Sequence, residues 1–322
     1  MATTLTKFTE IRYYLYSITM KPYADKANEY DSSKILREVA SHLTNIRRQG
    51  KAMLVDRNEN RKGFPPRKLF LSSAVLLPTE RRVRCTMALI RKGKNPMFMK
   101  KGTFNLEELK QMGDIVEITH FFIDYKTDQN IICVERNPHG PNIADIEYYF
   151  KKIARDELNL AKYSELNVFM ENSIENTLST MKNVLSFNIK LKTTNLELID
   201  KELEKNYFKG FDLISNLYKP EFFRVEAFFK KQGKQIKLPS ENKIATGMFA
   251  KALEIFKTNP EETDYFDNFV VVYEDGKGVE ETFNLLKDKK FFERQIEEGK
   301  DLKQGESYDL IKHDLTLFVN SL

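Results

Sequence analysis

Apolar and polar residues along the chain follow two periods, and the switches between them predict the elements. Ile11 to Met20 (IRYYLYSITM) is rich in Tyr and Ile and reads as a first strand. Ile35, Leu36, Val39, Leu43 and Ile46 then recur at helical spacing behind the N-cap residues Asp31, Ser32 and Ser33. Arg37, Ser41, Thr44 and Arg48 fall on the other side of that helix, which Gly50 ends. Arg57 to Pro66 is a polar loop. Lys68–Leu77 and Arg82–Ile90 read as strands, and Asn105 caps a short helix over Leu106–Met112. Ile115–Tyr125 and Ile131–Glu135 flank Thr127-Asp128-Gln129-Asn130, which predicts a β-hairpin. Pro141 leads into a helix over Asn142–Ala154.

Arg155 to Ser164 is charged and lacks β character, and a domain boundary is placed there. Beyond it come a strand (Leu166–Met170), a helix (Ile174–Val184), a strand (Phe187–Lys192) and a helix (Leu196–Leu217). A hairpin (Phe222–Lys230 with Gln235–Leu238, turned at Gly233), a helix (Lys243–Phe256), a second hairpin (Asn268–Tyr273 with Val279–Leu285) and a last helix (Tyr308–Val319) follow. Hairpins mixed with helices predict an α+β class, two domains of mainly antiparallel sheet flanked by helices, over residues 1–157 and 158–322. Phe208, Phe211, Phe222, Phe223, Phe228, Phe229, Phe249 and Phe256 are read as core of the second domain.

Charge changes this picture. The net charge is only +5, but Met1–Lys101 holds 22 basic and 8 acidic residues, a net +14, against 30 and 39 in the remainder, a net −9. The first domain is therefore read as basic and the second as acidic. No apolar run is long enough to span a bilayer, and Tyr13–Met20 is too short and alternating for a signal peptide. Two isolated cysteines, Cys85 and Cys133, make neither a disulfide framework nor a metal site. A cytoplasmic protein without membrane insertion is expected.

Chemistry-bearing motifs are few. Neither GxGxxG nor GxxxxGK[ST] occurs, and the four histidines, His42, His120, His139 and His313, form no HExxH or Cys/His cluster. No cofactor and no metal site is expected. A nuclease core of Asp124 with Glu135 lacks its lysine, since Asn137 stands in that place. One constellation remains. A hairpin centred near Asp128 would set His120 beside Arg136 and Glu117 beside His139, so that Glu117, His120, Glu135 and His139 gather before a helix N-terminus. That arrangement suits an anion, or equally a capped turn.

The basic segment is the stronger signal. Between Arg47 and Lys101 only Asp56, Glu59 and Glu80 oppose sixteen Lys and Arg residues. They cluster in or near loops: Arg47, Arg48 and Lys51; Arg57, Arg61 and Lys62; Arg81, Arg82 and Arg84; Arg91, Lys92 and Lys94. Cations on loops around a small sheet can neutralise a polyanion backbone without reading its sequence. The same charges would also serve docking on the acidic half. Tyr13, Tyr14 and Tyr16 are either strand core or stacking platforms.

Three stretches carry a resemblance: IICVERNPHGPNIADIEYYF (Ile131–Phe150), the helix–strand unit Ile174–Lys192, and the late hairpin VVVYEDGKGVEETFNLL (Val270–Leu286) before a terminal helix. In the order of these elements the chain resembles the RexA family of phage-exclusion proteins and, more loosely, the KwaB family of DNA-binding Kiwa anti-phage proteins. The resemblance implies a two-domain, dimeric cytoplasmic protein that binds DNA with little sequence preference in anti-phage defence, beside a partner protein of that system. It carries over no catalytic residue. The first expectation is thus a non-enzymatic protein on a DNA or RNA backbone. The alternatives are a metal-dependent nuclease or nucleotide-processing effector built on Glu117, His120, Glu135 and His139, and an adaptor that binds only proteins.

Overall fold

The structure is a computed structural model that describes residues 7–60, 64–91, 97–99, 106–108, 114–127, 129–171, 174–196, 199, 201, 208, 214, 217–218, 220–229 and 239–322. The fold is α+β. The larger sheet is built from β1 (Phe8–Pro22), β2 (Val55–Asp56), β3 (Lys68–Leu77), β4 (Arg82–Ile90), β7 (Val116–Asp124), β8 (Asn130–Glu135) and, from near the far end of the chain, β14 (Phe291–Glu297). Their order is β14-β1-β8-β7-β4-β3-β2, with β9 (Ala161–Val168) also paired to β1. β5 (Met97–Met99) and β6 (Leu106–Glu108) form a separate two-stranded ribbon.

Consecutive residues of β7 point to opposite faces of this sheet. Phe121 meets Phe150 of α2 (Ile143–Lys152) edge-on at 5.9 Å, and Phe122 meets Tyr308 of α7 (Gln304–Asn320) at 5.3 Å. α1 (Ser32–Arg48) packs over β3 and beside the extension of α2, so α1 and α2 cover one face and α7 the other. Tyr13 to Ile18 of β1 is an unbroken buried run, and Tyr13 meets Phe122 at 6.2 Å and Ser307 Oγ at 2.7 Å. Tyr13, Tyr14 and Tyr16 are therefore core residues, and the stacking-platform reading fails for want of exposure. α1 starts where expected, with Asp31 accepting from the Lys34 N–H at 2.7 Å.

The second sheet contains β10 (Met181–Lys192), β11 (Phe222–Phe228), β12 (Phe266–Asp275) and β13 (Glu280–Asn284) in the order β11-β10-β12-β13. Its inner face packs on α3 (Ile174–Thr180) and α5 (Pro239–Thr258), with the short α4 (Thr193–Leu196) and α6 (Leu285–Asp288) at its borders. Phe249, Phe256, Phe266, Phe269 and Phe283 form one aromatic cluster here, three of its pairs meeting edge-on at 5.2–5.5 Å.

Several expectations are corrected. Leu106–Glu108 is strand, not the start of a helix, and the rest of that segment lies outside the described residues. β9 begins inside the segment read as lacking β character, and β14 was not foreseen. Met181 already belongs to β10, so α3 ends at Thr180. β11 pairs with β10 along its length, while the second arm of its expected hairpin lies outside the described residues, as does most of the helix expected over Leu196–Leu217. Phe222 and Phe228 are exposed rather than core.

The two compact units are not consecutive stretches of chain. The first comprises Met1–Tyr14, Ile18–Glu165 and Phe292–Leu322; the second comprises Leu15–Ser17 and Leu166–Phe291. The chain leaves the first unit after Glu165 and returns to it at Phe292. The first unit then holds 33 basic and 27 acidic residues and the second 19 and 20, so the second is near neutral rather than acidic.

Candidate nucleic-acid interface

The arginines of the basic segment divide into those that hold the first unit together and those that face solvent. Arg82 is 1 % exposed. Its Nε donates to Asp124 at 2.6 Å and its Nη1 to the Tyr308 hydroxyl at 3.1 Å. A charge so placed cannot meet a phosphate, and Arg82 is removed from the interface. The alternation of β4 explains this: Arg82, Arg84 and Thr86 lie on the face that α7 covers. Arg84 is half-buried there, its guanidinium 5.7 Å from the Tyr308 ring centre.

Arg57 is held as firmly. It donates to Asp145 at 3.0 Å, while Arg67 grips both oxygens of the same carboxylate at 2.8 and 2.5 Å. Asp145 has no exposed surface. Burial alone would raise its pKa, but the hydrogen bonds and charges of Arg67, with that of Arg57, hold it below its ordinary 3.8. Asp145 and Asn142 also cap the first turn of α2 reciprocally, each accepting from the other's N–H at 3.0 Å. The helix N-terminus expected to await an anion is therefore filled by the chain's own carboxylate. Gly140 lies against this turn, where an added Cβ would meet Thr119 Oγ1 at 2.6 Å.

The alternative cluster does not assemble. β7 and β8 pair with Phe121 opposite Val134, one residue off the expected register, so His120 faces Glu135 instead of Arg136. The His120 N–H donates to Glu135 Oε2 at 2.9 Å. Its ring is buried, with Nε2 at 2.9 Å from the Leu302 carbonyl and Nδ1 at 2.9 Å from Thr86 Oγ1. A carbonyl only accepts, so Nε2 carries the proton and Nδ1 accepts from the hydroxyl. Both ring nitrogens are engaged. Burial lifts the Glu135 carboxyl above its ordinary 4.5, against the pull of the His120 N–H. Glu117 lies apart with Arg91, at 3.4 Å, and His139 is exposed, its N–H on Asn137. Among the described residues no group of three or more His, Cys, Asp or Glu is placed to hold a metal ion.

What faces solvent is a rim along α1. Arg47 is tied to the Ser72 and Lys51 carbonyls at 3.0 and 3.1 Å, but Arg48 and Lys51 beside it are exposed. Arg81 is exposed after the turn Pro78–Glu80, in a left-handed conformation (φ 53°). Burial raises the Tyr125 hydroxyl pKa, and the charges of Arg37 and Arg81 both oppose that rise. Arg37 and Arg48 are eleven residues apart on α1, close to three full turns, hence on one side of the helix and ~16 Å apart. Arg37 was not among the expected contacts, although its spacing from Arg48 was legible. The three opposing acids are turned inward or onto other partners: Asp56 accepts from the Asn58 and Arg67 N–H groups, Glu59 binds Lys152, and Glu80 binds Tyr308 and Lys312. Arg91 is exposed beside Glu117, and Arg61, Lys62, Lys92 and Lys94 lie outside the described residues.

Among known proteins, no family, no curated sequence and no solved structure matches this chain.

Proposed function

We propose that the protein binds nucleic acid through its phosphate backbone, without catalysis, along the rim formed by Arg37, Arg48, Lys51 and Arg81. What supports the reading is the fate of the three acids in the basic segment. Each is committed to a cation, a tyrosine or a backbone N–H group, so Arg48, Lys51 and Arg81 keep their positive field, while Arg37 stands 3.8 Å from the Glu38 carboxylate. Point charges on a helix side and a turn neutralise phosphates but do not enter a groove to read base edges, so binding is indifferent to sequence. The class of role follows from the resemblance of the three stretches above: exclusion of phage by a cytoplasmic, self-associating DNA-binding protein working with a partner of the same system.

The test is a salt series with a mixed-sequence DNA duplex. Arg48→Glu, Lys51→Glu and Arg81→Glu combined are expected to weaken binding for every sequence and to flatten the slope of log K against log salt by about 3, at ~0.9 per lost phosphate contact. An unchanged slope would sink the rim. Magnesium-dependent cleavage of the duplex would instead favour the enzymatic reading, and plating efficiency of phage on cells carrying the triple variant tests the defence role.

A further inference from the structure

Among the described residues, one face of the second sheet keeps solvent exposure, most of it along β11. Val184, Ile189 and Leu191 of β10, Phe223 of β11, Phe269, Val271 and Tyr273 of β12 and Phe283 of β13 all point into the core. The alternate positions point the other way and keep solvent exposure. On β11 they are Phe222, Arg224, Glu226 and Phe228, and across from them on β10 stand Lys192, Lys190, Asn188 and Ser186.

Two features of this face are unusual for one that only meets water. Phe222 and Phe228 are 47 % and 73 % exposed. They stand on one side of one strand, ~20 Å apart at ~3.3 Å per residue. Three cations accompany them. Lys190 Nζ lies 4.2 Å from the Phe222 ring centre, Lys192 stands opposite Phe222, and Arg224 reaches Asn188 at 3.3 Å. One carboxylate, Glu226, opposes them on these rows, 3.9 Å from Arg224.

We infer that this face binds single-stranded nucleic acid, with Phe222 and Phe228 stacking on bases and Lys190, Lys192 and Arg224 on the intervening phosphates. The chemistry selects the strand form. A ring face can stack only on a base that is not already stacked within a duplex, and every base offers such a face. Charge complementarity selects the polymer, because the cations flank the aromatic positions on adjacent strands instead of lying on a distant loop. The inference is separate from the rim on the first unit: it names another surface and another form of nucleic acid.

The test uses the full chain and a fluorescent 15-residue oligothymidylate, with a duplex of equal length in parallel. Phe222→Ser with Phe228→Ser is expected to weaken oligothymidylate binding more than tenfold while duplex affinity and Tm stay as in the parent. Both side chains are exposed, so the fold should survive; Lys190→Gln with Lys192→Gln gives a second variant that leaves the rings in place and should flatten the salt dependence. Wild-type protein that does not bind the oligonucleotide at low salt overturns the inference. So does unchanged affinity in the Phe pair, including the case where that pair lowers the sedimenting mass and marks the face as a self-association surface. The rim variant distinguishes the two readings, since it should lose duplex and keep oligothymidylate.

Discussion

Two buried carboxylates with opposite environments decide how the first unit responds to pH. Asp145 is held ionised by Arg67 and Arg57 and is depressed below its ordinary value. Its contribution is present above pH 4 or so and is lost as pH falls through the lower native value. Asp145→Asn leaves two arginines facing a neutral amide and is expected to cost about 3 kcal/mol by urea denaturation, at the lower end for a broken buried pair because Arg67 is a third exposed. Glu135 is raised, so the native state takes up a proton before the unfolded chain does. Wild-type stability should fall as pH rises from 4.5 through the raised native value. Glu135→Gln can still accept the His120 N–H, and should melt higher than the parent at pH 7 with a flatter profile; a lower Tm across the whole range would contradict this. None of this was visible from composition: a carboxylate's pKa depends on partners 78 residues away in the chain for Arg67 and 15 for His120.

Among the elements, those with a local signal were legible. α1 announced itself by its apolar spacing and its Asp cap, α2 by Asn142 behind Pro141, and the β7–β8 and β12–β13 hairpins by alternation around a polar turn. β14 and the first five residues of β9 were not, because they are charged and each shows one weakly apolar side: AKYSE and FFERQIE read as surface loop until a neighbouring strand supplies their pairing. The hairpin register slipped by one because the loop length alone did not say which residues face each other. That single residue separated His120 from Arg136 and dissolved the proposed cluster. α7 shows what the missed pairing does. It lays Tyr308 over Arg82 and Phe122, and burial pushes the Tyr308 hydroxyl up to about 12 while Arg82 opposes the rise. Tyr308→Phe removes one acceptor from a buried guanidinium and is expected to cost about 1–3 kcal/mol, read as a lower urea midpoint.

At the scale of the molecule, the +14 and −9 division of the sequence maps onto the units only in part. Phe292–Leu322 carries 4 basic and 7 acidic residues and joins the basic unit, where Lys312 and Tyr308 take Glu80 and the Lys312 carbonyl faces Arg82. Some of the positive charge seen in the sequence is thus internal structure. A count of cations could not separate Arg82, fixed under α7, from Arg81 next to it in solvent. Their difference comes from the turn at Pro78–Glu80 and the first residue of a strand, which send neighbouring side chains in opposite directions.

The return of the chain at Phe292 bears on synthesis. Strands β1 to β8 leave the ribosome first, yet β1 cannot be flanked by β14, nor Arg82 and Asp124 be covered by α7, until every residue of the second unit has been made. During that interval a sheet edge and a buried ion pair are open to water and to other nascent chains. A chain halted just before Phe292 should therefore have a complete second unit and an unfinished first one, prone to strand pairing with its neighbours and sensitive to protease along the part of β1 that β9 leaves unpaired.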